Sequence, residues 1–442
     1  MGRPRGEGLG AFFRAGAVAM RRSRAPVLSL AIVVWLASAA TAAAQPVDAI
    51  VVRAVTEHPE LAAARAEVDA ARARLQQAGL RPNPMLDLAG QQNVAGPDNS
   101  VSVGVTVPLD LNGRKEGRMA VAEREIEVKA AHLADRERRL RAEIRLKVGE
   151  MLAATRNLTV MRELLEVNRQ GLALMEERVR RGAAPPLEGS LLLVEVNRLD
   201  AAQQLLGSRV EVLHLQLKAL AGLPPEEVID VEGVLEAPAV RTDRASGLAR
   251  AAAVRPDIRA ARAEAAMARA RIQKEEAEGR WDASFNVGYQ RQETGFGLSG
   301  ITDRGGTRPI QDTFHMVGGG LTITLPVRNR NEGNIKAAQA ETRAAERRRE
   351  FLELVVRQEV ASAFTQYEAT RRSLDTYGRG VRDVARQNLD TVRQSHGLGR
   401  IPLLDVIAEQ RRLIEVENGY TEILKQLYDA AVEIERAIGE AS

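Results

Sequence analysis

Apolar residues return every seven positions through Ile144, Met151, Leu158, Leu165, Leu172 and Val179. A seven-residue hydrophobic period marks a coiled-coil seam, because a slightly under-wound helix presents the same face again at that interval. The surrounding stretch, 112–181, contains no proline. It reads as one helix of roughly 70 residues, on the order of 100 Å long at ~1.5 Å per residue. A second run over 331–395 keeps the rhythm through Val360, Tyr367, Leu374 and Val381. A final helix over 403–438 carries Leu413, Tyr420, Leu427 and Ile434 at the same spacing. These rods are too charged to cross a bilayer.

Each long helix is preceded by a pair of alternating segments. In the first pair, 85–93 alternates weakly, 94–100, holding Gly96-Pro97-Asp98-Asn99, reads as a turn, and 101–109 alternates cleanly. Val101, Val103, Val105, Val107 and Leu109 face one way, and Ser102, Gly104 and Thr106 the other. Such strands suit the wall of a membrane barrel and equally a half-buried soluble sheet. Upstream, 47–77 reads as one alanine-rich helix, stopped by Arg81-Pro82-Asn83-Pro84. The helix over 187–221 should return antiparallel to the first rod, and 226–242 reads as an irregular connector.

The pattern then repeats, which argues for one elongated body rather than several ordinary domains. His58-Pro59-Glu60-Leu61 is echoed by Arg255-Pro256-Asp257-Ile258, and Val107-Pro108-Leu109 by Leu325-Pro326-Val327. The shifts are 197 and 218, so the second strand pair carries 21 extra residues, assigned to an exposed loop over 292–312. Ala184-Pro185-Pro186-Leu187-Glu188 is echoed by Ile401-Pro402-Leu403-Leu404-Asp405 at a shift of 217. Aligning Arg178 and Gly182 with Arg393 and Gly397 makes the second tip two residues longer. The halves are 45–240 and 241–442.

Charge and composition narrow the class. Residues 1–44 carry a net +5 of the chain's formal +4, so the remainder stands at −1. That leaves little electrostatic drive toward nucleic acid. Arg21, Arg22 and Arg24, the apolar run 27–36 and Ala42-Ala43-Ala44 read as a secretory signal over 1–44. With no cysteine there is no disulfide, thiolate metal site or lipid acceptor. The five histidines stand at no metal-ligand spacing, and no nucleotide loop or hydrolase motif is present, so neither a cofactor nor an enzymatic activity is expected. Aromatics cluster late, at Trp281, Phe285, Tyr289, Phe296 and Phe314. Those rings suit either a lipid–water boundary or core packing.

The doubled arrangement, the exported N-terminus and the two Gly/Pro tips resemble the TolC-type outer-membrane efflux proteins over essentially the whole chain after the signal. Three motifs carry the resemblance: Arg81-Pro82-Asn83-Pro84, 107–114 (VPLDLNGR) and 325–335 (LPVRNRNEGNI). The two strand exits are also similar to the CzcC-like heavy-metal branch. The resemblance implies a mostly α fold with a small β part: a homotrimer whose helices form a periplasmic barrel joined to a twelve-stranded outer-membrane β-barrel. Four strands alone would leave unpaired edges in lipid, so self-association agrees with the direct reading. It further implies a passive duct for an RND-type inner-membrane pump, reached through a periplasmic adaptor, with divalent metal cations ahead of organic solutes as cargo.

The same resemblance makes the tips the candidate gate and adaptor contact. Gly182, Gly397 and Gly399 would form the turns, and Glu188 and Asp405 would supply acids at the constriction. Where many relatives carry a second acid, this chain has Ala408, with Glu409 beside it. Arg178, Arg393 and Arg400 stand close to the tips as latch residues or solvated charges. The competing readings are an exported coiled-coil scaffold and a periplasmic adaptor protein, both without a barrel.

Overall fold

The computed structural model describes residues 47–439, apart from 95, 97, 228, 230 and 232. The expected export signal over 1–44 lies outside the described residues, as do Ala95 and Pro97 of the first turn.

Helix α1 (Val47–Glu57) and α2 (Pro59–Ala78) replace the single helix expected over 47–77. Proline is the cause. It disfavours the helical region for the residue before it, and His58 stands at φ −61°, ψ 125°. The His58 Nδ1 then accepts a hydrogen bond from the Glu60 amide at 3.1 Å and caps α2. The second half repeats the device with α5 (Arg244–Val254) and α6 (Pro256–Glu278), broken at Arg255, φ −56° and ψ 127°.

Strands β1 (Met85–Gln92) and β2 (Asn99–Pro108) follow α2, and β3 (Asp282–Ile301) and β4 (Thr307–Thr324) follow α6. They form one antiparallel sheet in the order β1-β2-β3-β4, so the two halves meet at β2 and β3. Among the described residues both outer edges are unpaired in the single chain. The register puts Leu88, Val103, Tyr289 and Val317 in one row, and Asp87, Gly104, Gly288 and Gly318 in the next. One face is therefore apolar and the other small or polar. The apolar face is uncovered, with Leu88 69% and Val317 80% exposed. Trp281, Phe285, Tyr289, Phe296 and Phe314 are likewise exposed rather than packed in a core.

The loop expected over 292–312 is instead strand. Pairing runs from Asp282↔Thr324 to Gly295↔Gln311 without a break and resumes at Ser299↔Pro309 after a bulge. Only 302–306 remain as the turn, closed by the Thr302 amide donating to the Gly306 carbonyl at 2.8 Å. Glycine and polar content suggested a loop, but ladder hydrogen bonds satisfy the backbone whatever the side chains are.

The rods are α3 (Arg114–Arg180) and α4 (Pro186–Leu220) in the first half. In the second they are α7 (Glu332–Tyr377), α8 (Asp383–Gly397) and α9 (Leu403–Ile438). The run expected over 331–395 is thus interrupted by a π-helical turn, Gly378–Arg382. No described helix is long and apolar enough to cross a membrane. The core is a string of small clusters. Ile144, Val148 and Met151 of α3 meet Ile50, Leu217 and Val432, while Val360 and Phe364 of α7 meet Ile258 and Ile438. Ile144, Met151 and Val360 among them stand on the seven-residue seams.

Candidate functional site at the helical tips

Both rods end in the same turn. The α3 helix closes when the Gly182 amide donates to the Val179 carbonyl at 3.0 Å and the Ala183 amide to the Arg178 carbonyl at 2.8 Å. The α8 helix closes when Gly399 donates to His396 at 2.8 Å and Arg400 to Ser395 at 3.0 Å. Gly182 and Gly399 take left-handed φ of +70° and +71°, which costs a side chain but not glycine. The next helices start alike, at extended Pro185 and Pro402.

This geometry corrects the alignment of the tips. Gly182 matches Gly399, not Gly397, and Arg178 matches Ser395, so both tips have the same length at a shift of 217. Gly397 is the last residue of α8 and needs no special backbone. Glu188 and Asp405 are true counterparts. Their amides donate to the Pro185 and Pro402 carbonyls at 3.1 and 3.2 Å, and each carboxylate sits in a first helical turn. Asp405 is exposed and Glu188 half-buried. The neighbouring acid, Glu409, is committed to Arg412 at 3.0 Å. Arg400 is exposed at the turn itself.

Arg178 and Arg393 come together with Gly397. They line a cavity of about 270 Å³ bounded by α3, α4, α8 and α9. Burial pushes the Arg393 guanidinium below the ordinary arginine range, against the opposing field of Asp390.

Two buried acids further along the rods were not anticipated. Glu417, 2% exposed, accepts from Arg386 at 2.7 Å, Arg382 at 3.0 Å and Arg156 at 3.2 Å. The Arg382 and Arg156 guanidiniums lie 4.6 and 5.3 Å from the Tyr420 ring centroid. Glu195, 1% exposed, accepts from Arg198 at 2.6 Å and Arg411 at 2.8 Å. A signal existed for the first. The second seam of α9 reads Leu403, Gln410, Glu417, Leu424, Ala431 and Ile438, and a polar residue at a seam position must be paired or functional.

Comparison with known proteins matches this arrangement. The family profile described as "Outer membrane efflux protein" covers residues 50–222 and 247–440, most of the chain. The chain belongs to that family. It is therefore a channel-family protein of the outer membrane with a periplasmic part, and the barrel-free scaffold and adaptor readings are not favoured. Among curated proteins it is 24% identical, over 86% of both chains, to the cobalt-zinc-cadmium resistance protein CzcC of Cupriavidus metallidurans. Among solved structures, the outer-membrane channel OprN aligns at a TM-score of 0.70 and 20% identity, covering 89% of each chain. CusC aligns at 0.69 and 17% identity, over 89% of this chain and 92% of that one. The CmeC channel of Campylobacter jejuni aligns at 0.72 and 13%, over 89% and 85%. At these identities the structures report fold alone.

Proposed function

We propose that three copies of this chain form the exit duct of a tripartite efflux system, and that divalent heavy-metal cations are its cargo. The observation that carries the assembly is the sheet: four strands, apolar on one face and polar on the other, with both edges unpaired. Unpaired edges are not tolerated in hydrocarbon, and closure by two further copies would remove them as a twelve-stranded barrel. The two repeats, 45–240 and 241–442, would then supply matched rods to a periplasmic tube. The chain would reach the outer membrane through the export signal over 1–44.

An inner-membrane pump, of the RND type, supplies the energy, and a periplasmic adaptor joins it to the tips. Gly182 and Gly399 let the tips turn tightly. Glu188 and Asp405, on equivalent first turns, face the passing solute. Three exposed Asp405 carboxylates around an axis favour cations by their field. The metal reading is supported by the likeness to the cobalt-zinc-cadmium resistance protein and by the motifs that leave the strand pairs.

Two measurements test this. Native mass spectrometry of the detergent-solubilised protein is expected to give three chains, and a monomer would refute the duct. Deletion of the gene is expected to lower zinc, cobalt or cadmium tolerance. A deletion strain with normal metal tolerance and new drug sensitivity would replace metal with organic solutes as cargo.

A further inference from the structure

The cavity between the two tips offers hydrogen-bond donors and no acid. Arg178 enters it from α3 and Arg393 from α8, while no aspartate or glutamate among the described residues lines it. Gln410 of α9 lines it too, only 2% exposed, and its Nε2 has no hydrogen-bond partner among the described residues. Buried amide donors are almost always paired, so an unpaired one that lines a cavity marks a missing acceptor. His396 lines the cavity too, with its Nδ1 donating to the Ile401 carbonyl at 3.0 Å, and no hydrogen bond joins its ring to the Gln410 amide. The floor is apolar, built from Met175, Leu192, Leu403 and Ile407.

We infer that this cavity binds a carboxylate side chain carried on the apolar tip of a partner's helical hairpin, the partner being the periplasmic adaptor. The inference rests on reading the tips as the docking end of the channel, and it adds the chemistry of the contact. Two guanidiniums and an amide donor repel the proposed metal cargo, so the cavity is not a station on its path. A free small anion would leave the apolar floor uncovered. An acid on an apolar stem satisfies both, in the way a helix seats in a groove through one anchor. Arg393 fits the role because burial already strips its guanidinium of water while only Asp390, on its own helix, opposes that cost.

The test uses the full chain in its own cells and reads tolerance to whichever solute the deletion strain becomes sensitive to. Arg393→Glu is expected to drop tolerance to the deletion level. Selected revertants are expected to change an acid of the adaptor to lysine or arginine. Gln410→Leu guards against a folding artefact. It removes an unpaired donor, so the melting temperature should hold or rise while tolerance falls at least tenfold. Full tolerance in both variants, with normal amounts in the outer membrane, overturns the inference. So do revertants that map to acids of the channel itself, which would make a second copy the occupant. The purified wild type is tested in parallel in planar bilayers. A silent wild type defeats the channel reading and this inference with it, whereas a conducting wild type with tolerant variants defeats this inference alone.

Discussion

The two hairpins follow one plan and differ where they carry charge. In the first, α3 runs unbroken through Met161–Leu165. At the equivalent place in the second, 217 residues on, the helix widens into the π-helical turn Gly378–Arg382. Arg169 and Asp200 of the first hairpin form a half-exposed pair at 2.6 Å. Their counterparts, Arg386 and Glu417, belong to the buried cluster with Arg156, Arg382 and Tyr420. Duplication therefore kept the position of an ion pair and changed its environment. Single-turn π-bulges are frequent at functional sites, and here one lies beside the most heavily paired acid of the rods.

That contrast can be broken. Glu417→Gln leaves three guanidiniums facing a neutral amide. The arginines keep partial solvent contact, with side chains 21% to 49% exposed, so the expected loss is the lower end of the buried-pair range, about 3 kcal/mol. Thermal melting of the purified protein reads it. A variant as stable as wild type would show that the cluster is not a stabilising element.

Glu195 gives a smaller effect and a pH signature. Burial alone would raise its carboxyl, but hydrogen bonds from Arg198 and Arg411 outweigh burial and hold it below the ordinary glutamate range. A depressed folded pKa adds stability above the unfolded value, and that stability is lost as pH falls through the folded one. Wild type should thus weaken on acidification below the usual carboxylate range. Glu195→Gln should be less stable at neutral pH, by about 1–2 kcal/mol after allowing for half-exposed arginines, and show a flatter acid limb. Parallel acid limbs would contradict this.

The π-turn can be stiffened. A Cβ at Gly380 meets nothing within 4 Å and its φ is not left-handed, so Gly380→Ala is expected to stabilise by up to ~1 kcal/mol. Hydrogen exchange sharpens the comparison. Wild-type amides in 378–382 should exchange faster than those in 161–165, and the alanine variant should narrow the gap. Equal exchange in wild type would mean that the two hairpins are equally rigid there. Asp200→Asn is the control, with an expected cost of less than ~1 kcal/mol, because a half-exposed pair contributes little. A loss as large as that at Glu417 would erase the distinction.

Much of this fold was legible because period is a strong signal. Ile144, Met151, Leu158 and Leu165 are all buried, and the alternation of Val101, Val103 and Val105 set one face of the sheet. Register at the tips was less legible. Arg178 and Arg393 look alike in sequence, yet backbone hydrogen bonds equate Arg178 with Ser395, and only the left-handed φ of Gly399 reveals which glycine turns. Strand ends misled for a similar reason. Glycine-rich 292–312 lacks a hydrophobic stripe, but pairing with a neighbour is a non-local fact. The Glu417 cluster needed three dimensions too, since Arg156 lies 261 residues away from its acid. Gln410 was visible as a polar seam residue, but its missing acceptor was not.

On the proposed function, copies of this chain close a water-filled passage through a lipid bilayer. Current across a planar bilayer after adding the purified full-length protein tests it most directly. Discrete, long-lived conducting steps are expected, with a cation preference that Asp405→Ala weakens. A bilayer that stays electrically silent while the protein is inserted would contradict it.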